Sequence, residues 1–351
     1  MKSFFKYKKL INSPPIKRAA YSDRTAWIMS EFSRLVYERL PNEHELENVL
    51  DLILSSVKRN MRKSQILPLV EQLSKSTPRP IISKPEAVIR ELKYNFIRSH
   101  TVLGTEVMVI DIPANSEINF AGMFVIAFRG TEADSVQDIK TDISAPLVQA
   151  PGGGRVHKGF LSAYKLVEDL LIEDIKQAGE KPIYITGHSL GGALAMVATR
   201  YIGNDSIGAT YTFGCPRVAD DTFYNNIKTP VYRVVNAADG VTRIPFGAGF
   251  TLFLSGLRML PFNGTKYISE LLRKHIDGYT HYGHLVSLSS LSPTKSNPYK
   301  GLQVIHSPNI FRTGLKVVPR MIATWGKAAI EDHSIEYYCE KLAQHALSRF
   351  D

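Results

Sequence analysis

PIYITGHSLGGALA, residues 182–195, is the stretch whose reading decides the fold. Ile183 to Thr186 is a short β-branched run that reads as a strand, and LGGALAMVATRYI from Leu190 onward reads as a helix. Between them stands Gly187-His188-Ser189-Leu190-Gly191, a G-x-S-x-G pattern in strand–turn–helix context. The chain must turn sharply there with the serine in a strained conformation, and a Cβ at either flanking glycine would collide with neighbouring backbone. Such a turn lifts the Ser189 hydroxyl clear of the sheet at a helix N-terminus, where the dipole favours developing negative charge. The Leu190 N–H points into the same space and is one oxyanion donor. An ordinary turn serine is the bland alternative. The flanking elements and the small residues of GGALA, which allow tight helix–sheet packing, argue against it. His188 is expected to point away from Ser189 and to be structural.

Strands and helices alternate outward from this turn. NFIRSHTVLGTEVMVIDIP reads as two strands joined at Gly104, MFVIAF as a buried strand, and KGFLSAYKLVEDLLIEDIKQ as an amphipathic helix. ATYTF and VYRVVN are further strands, with a short helical DDTFYNNI between them. This alternation predicts an α/β fold, a mainly parallel sheet covered by helices on both faces. Upstream, SDRTAWIMSEFSRLVYERL carries helical spacing with Ser22 or Asp23 as cap. The predicted organisation is a basic N-terminal arm over 1–20 and one domain over 21–351. That domain holds a helical insert over about 41–80, and the chain ends in the helix HSIEYYCEKLAQHALSR.

The 351 residues are 44% hydrophobic and 22% charged, which fits a globular chain rather than a disordered one. Forty-three basic against 33 acidic residues leave a formal +10, which favours an anionic contact. Charge alone admits nucleic acid or an anionic lipid surface. Cys215 and Cys339 do not make a disulfide framework and point to a reducing compartment, with Cys215 read as a small buried thiol. The N-terminal Lys/Phe mixture lacks the apolar run of a signal peptide, and no uninterrupted apolar span is long enough for a bilayer. These features predict a cytoplasmic or peripheral membrane location.

A serine hydroxyl needs a base, and the base needs an acid to fix its tautomer. In a sheet of this kind the chain order is Ser, then Asp or Glu, then His. VYRVVN ends at Asn236 and leads to Asp239, the expected acid. Asp220 and Asp221 precede a helix, so capping is their expected work. His333, at a loop-to-helix boundary, is the expected base, with His281 and His284 in THYGHLV as alternatives. No acidic or thiol ligand sits at useful spacing from those two, so no metal is expected.

Five blocks resemble the class 3 lipases, the fungal-type triacylglycerol lipase family with many bacterial members. They are AFRGTEADSVQDIKTDI, VHKGFLSAY, ITGHSLGGALA with YTFGCPRVAD, RVVNAADGVTRIP and DHSIEYY. The likeness is dense from about Tyr94 to Pro245. It implies the α/β-hydrolase fold, lipid ester hydrolysis, Asp239 as acid and His333 as base. It also implies a second oxyanion donor at Thr131, the residue after FRG. Ile139 stands where the family often has Trp, a packing position. No cofactor is implied.

Compact relatives pass quickly from the acid to the HxGxE-like block that THYGHLV resembles. Here about 40 residues separate Asp239 from His281. The insert over about 246–275 opens with Phe246, Phe250, Leu252, Phe253, Leu254 and Leu257, followed by a basic amphipathic KYISELLRKHI. It reads either as buried core or as a lid or membrane-contact element. The expected partners are a lipid or ester substrate and peripheral contact with an anionic membrane, with no nucleic acid. Triacylglycerol lipase or esterase and phospholipase A-type hydrolase are both open. A catalytically inactive membrane- or partner-binding module is the rival class.

Overall fold

The computed structural model describes residues 3–11, 20–38, 40, 53–54, 66–70, 83–118, 120–130, 145–203, 207–244, 278–291, 297–308 and 327–349. Residues 131–144, which include Thr131 and Ile139, lie outside the described residues, as do the insert over 246–275 and most of 41–80.

Strands β1 (Asn95–Val102) and β2 (Thr105–Ile112) form a hairpin whose turn, Leu103-Gly104, has positive φ at both positions. That turn matches the right-handed twist of the flanking strands. They are followed by β3 (Met123–Phe128), a separate small hairpin of β4 (Leu147–Gln149) and β5 (Arg155–His157), then β6 (Ile183–His188), β7 (Ile207–Phe213), β8 (Val231–Asn236), β9 (His284–Leu288) and β10 (Val304–His306). The main sheet has the order β1-β2-β3-β6-β7-β8-β9-β10. From β3 to β9 every neighbouring pair is parallel, and only the edges are antiparallel.

The helices are α1 (Lys8–Ile11), α2 (Asp23–Leu35), α3 (Lys84–Glu91), α4 (Lys158–Ile175), α5 (Leu190–Ile202), α6 (Asp221–Tyr224), α7 (Lys327–Glu331) and α8 (Ile335–Leu347). Alternation along the strands divides the core in two. Phe124, Ile126, Phe128, Ile183 and Ile185 pack toward Phe160, Tyr164, Val167 and Leu171 of α4 and Ala193, Leu194 and Val197 of α5. Val125, Ala127, Tyr184, Tyr211 and Phe213 pack on the other face, toward Trp27 and Phe32 of α2 and Tyr338 and Leu342 of α8. Both faces are covered, so central strands such as β3 are buried along their whole length. Ser22 caps α2 by accepting the Thr25 N–H, as the capping pattern predicts. Among the described residues no helix is long and apolar enough to cross a membrane.

The N-terminal stretch corrects the expectation of a basic arm. Phe5 is 2% exposed and Leu10 0%, and Phe5 meets Phe32 edge-on at 5.1 Å between ring centroids. Lys6 pairs with Glu340 at 2.5 Å and Lys8 with Glu91 at 3.8 Å. The apolar side chains enter the core while the lysines reach over it, a division that total charge conceals.

Glu340 of α8 gathers Lys6, Tyr7, Tyr299 and Gln344 as donors. Burial alone would raise its pKa, but these donors hold it down at about 2, from an ordinary 4.5. A depressed carboxylate stabilises the fold above its unfolded pKa and loses that contribution as pH falls toward the folded value. Glu340→Gln is therefore expected to remove part of the acid-side loss of stability below about pH 4.5. Equilibrium denaturation of both proteins across that range checks it; identical pH profiles would refute the assignment.

Candidate active site

Ser189 links the end of β6 to the start of α5 with φ 57 and ψ −126. This positive-φ conformation is one that a non-glycine residue holds only when the surroundings over-determine it. The flanking glycines explain how it is held. A Cβ on Gly187 would lie 2.2 Å from the Gly191 carbonyl oxygen, and one on Gly191 would lie 2.3 Å from that of Phe128. The turn is thus pinned between its own helix and the end of β3. Leu190 is the first residue of α5, and its N–H is one of those a helix N-terminus leaves without an intrahelical partner.

His333 sits in the three-residue connector between α7 and α8. Its Nε2 is 2.9 Å from Ser189 Oγ, and its Nδ1 lies 3.0 and 2.9 Å from the two Asp239 carboxylate oxygens. A carboxylate can only accept, so Nδ1 carries the proton and Nε2 faces the serine hydroxyl as acceptor. Asp239, three residues beyond β8, is 1% exposed. It also accepts the Val241 N–H at 2.9 Å and the Tyr338 hydroxyl at 2.5 Å. Burial, and after it the Asp239 charge, pushes the Tyr338 phenol well above its ordinary pKa, so it remains a donor. The same hydroxyl accepts the Asn236 N–H at 3.0 Å. Asn236 in turn donates to the Asp332 carbonyl at 2.8 Å and accepts from the buried Lys341 ammonium at 2.6 Å. This network ties the end of β8 to the connector that carries His333.

His281, the alternative base, instead meets the Thr242 carbonyl at 2.7 Å. Burial first, then nearby Arg233 and Arg217, lowers its pKa well below normal. His284 is on β9, at 3.3 Å from His306. Asp220 caps α6 by accepting the Phe223 N–H at 3.0 Å and binds Arg155. Cys215 is a buried free thiol whose pKa burial pushes up to about 12.

His188 departs from expectation. Its ring does not turn away from the site but lies 4.5 Å from the His333 ring, with Nε2 at 2.7 Å from the His333 carbonyl. Tyr338, Asn236, Lys341 and the His188 contact are the participants that sequence reasoning missed. Only Lys341, a cation on an otherwise apolar helix face, offered a signal. A cavity of about 440 Å³ opens beside Leu190 and Gly130. Phe160, Ala163 and Leu194 give it an apolar wall, and the Glu106–Arg129 ion pair at 2.8 Å a polar one.

A nucleophile turn after a central parallel strand, with acid and histidine following in that chain order, is the α/β-hydrolase arrangement. Within that class, the family model described as lipase (class 3) matches residues 125–248. A secreted mono- and diacylglycerol lipase of Malassezia restricta is 32% identical over 145 residues, 36% of this chain and 48% of the relative. The toxin TseL of Vibrio cholerae is 30% identical over 244 residues, 63% of this chain and 36% of the relative. Among solved structures, the Rhizomucor miehei triacylglyceride lipase is similar with a TM-score of 0.42 and 25% identity, over 60% of this chain and 72% of its own. The chain spans about half or less of the length of these two curated relatives.

Proposed function

We propose that this chain is a serine carboxylic ester hydrolase acting on lipid esters, with Ser189 as nucleophile, His333 as base and Asp239 as acid. The observation that supports it is the hydrogen-bonded line from Ser189 Oγ through His333 to Asp239, at 2.9 Å on each side of the imidazole. His333 Nε2 takes the serine proton as Oγ attacks the ester carbonyl. The oxyanion is received by the Leu190 N–H and, in this proposal, by the Thr131 N–H and hydroxyl. Gly130, which precedes Thr131, supports that pairing: a Cβ built on it lies 3.2 Å from the Gly191 nitrogen, against the nucleophile turn. The imidazolium then protonates the departing alcohol, and water repeats the sequence on the acyl-enzyme. The cavity beside Leu190 is in the size range of small-ligand sites and offers its apolar wall to an acyl or alcohol chain.

The finer reading is a triacylglycerol lipase or esterase. The formal +10 supports a second one, a phospholipase A-type hydrolase at an anionic membrane surface, with the 246–275 insert, residues Phe246 to Leu257 foremost, as lid or membrane contact. Assays with p-nitrophenyl esters of rising chain length, a triacylglycerol emulsion, and phosphatidylcholine vesicles with and without phosphatidylserine separate these readings. Ester turnover is expected, together with vesicle binding that requires phosphatidylserine and weakens at high salt as the Debye length shrinks. No turnover on any ester would overturn the hydrolase assignment; salt-independent binding would overturn the electrostatic one.

A further inference from the structure

We propose that Tyr37 and His188 form a positioning relay that fixes the backbone of His333 and with it the aim of its imidazole. The inference rests on the hydrolase reading above. His188 Nε2 lies 2.7 Å from the His333 carbonyl oxygen, and His188 Nδ1 lies 3.0 Å from the Tyr37 hydroxyl. The directions are forced. A carbonyl can only accept, so Nε2–H donates to it. The neutral imidazole then has a lone pair on Nδ1, which accepts the Tyr37 O–H. Burial, and after it the neighbouring His333, holds His188 well below its ordinary pKa, so the ring stays neutral beside a base that must become charged.

His333 is thereby held at two points. Asp239 grips the imidazole at Nδ1, and His188 grips the main chain of the connector. With only the first, the ring could swing with its backbone and move Nε2 away from Ser189 Oγ. Tyr37 follows α2 and precedes the family-matched stretch 125–248 in the sequence. Its hydroxyl is wedged where a Cβ on Gly130 would lie 2.5 Å from it, and the same Cβ would lie 2.7 Å from the His188 carbonyl. The relay therefore touches both the end of β3 and the connector that carries the base.

The test uses the full chain and counts competent sites by covalent labelling with an organophosphonate ester, so that unfolded molecules do not enter the turnover number. His188→Phe keeps an aromatic ring and removes both hydrogen bonds. His188→Gln retains an N–H donor and a carbonyl acceptor. A displacement of the base on the ångström scale predicts that His188→Phe lowers kcat per labelled site about 10- to 100-fold, with KM within about twofold. His188→Gln is expected to restore kcat to within about threefold of wild type, and Tyr37→Phe to lower it about three- to tenfold. Wild-type kcat per site in His188→Phe, or no rescue by Gln, overturns the relay. If His188→Phe does not fold, Tyr37→Phe decides, and unchanged turnover there is the contrary result. A wild-type protein that takes no label and hydrolyses no ester sinks the hydrolase reading and the relay with it. A labelled wild type with an unimpaired His188→Phe sinks the relay alone.

Discussion

Ser189→Ala and His333→Ala are each expected to lower ester turnover on the order of 10⁴-fold or more, and the double variant little further, because the members of the proposed triad act as a unit. Neither change should unfold the protein. Ala tolerates the Ser189 backbone no worse than Ser does, and in His333→Ala the Asp239 carboxylate keeps the Tyr338 hydroxyl and the Val241 N–H as donors. Asp239→Asn is expected to lose a comparable factor by a different route. Asp239 receives three donors: His333 Nδ1–H, the Tyr338 hydroxyl and the Val241 N–H. An amide presents one acceptor oxygen and one donor group, so at least one of those donors faces an N–H. The imidazole then favours the wrong tautomer, and the buried mismatch costs about 1–3 kcal/mol of stability. Steady-state kinetics with a short soluble ester, paired with thermal melts, checks all three. His333→Ala at wild-type rates would return the base to His281.

Gly214→Ala carries the second large effect. Gly214 has φ +58, and a Cβ there would lie 2.8 Å from Asp239 Oδ2 and 2.9 Å from His333 Cε1 and Nδ1. Neither neighbour can yield without breaking the bond between them. The expected outcome is a fall in kcat/KM of about 10²-fold or more from misplacement of the base. The backbone penalty of roughly 1–3 kcal/mol for a non-glycine residue at such a positive φ must be separated from that loss. Gly179 supplies the control, with the same φ of +58 and nothing within 4 Å of a built Cβ. Gly179→Ala should lose similar stability and keep full turnover. Equal activity in the two variants would show that the crowding at Gly214 is relieved without moving the site.

The elements legible in the sequence are those whose signals are local. β-branched runs marked β6 and β8, helical spacing marked α2, α4 and α8, and Gly104 marked the hairpin turn. The serine motif was legible because strand, turn and helix follow one another within a few residues. The chain order of acid after strand β8 narrowed the acid to Asp239. The base was harder. His333 is 144 residues from Ser189 along the chain and 94 from Asp239. Periodicity carries no information over such distances, which is why His281 stayed in contention until its ring was found against Thr242. The N-terminal stretch failed for a related reason. Phe5 and Leu10 are too few and too close to lysines for a pattern, and their burial depends on a groove that α2 and α8 build together.

The sequence by itself therefore determined the layered α/β plan, the nucleophile turn and the candidate acid, because each follows from short-range sterics and side-chain periodicity. Tertiary structure alone decided which histidine meets Ser189. It also decided that Tyr338 holds Asp239, and that His188 and Tyr37 reach the His333 backbone. Those contacts join segments that become neighbours only when α2 and α8 pack together on one face of the sheet. A hydrogen bond between them is then selected by the depth at which each buried donor must find an acceptor, and not by position along the chain.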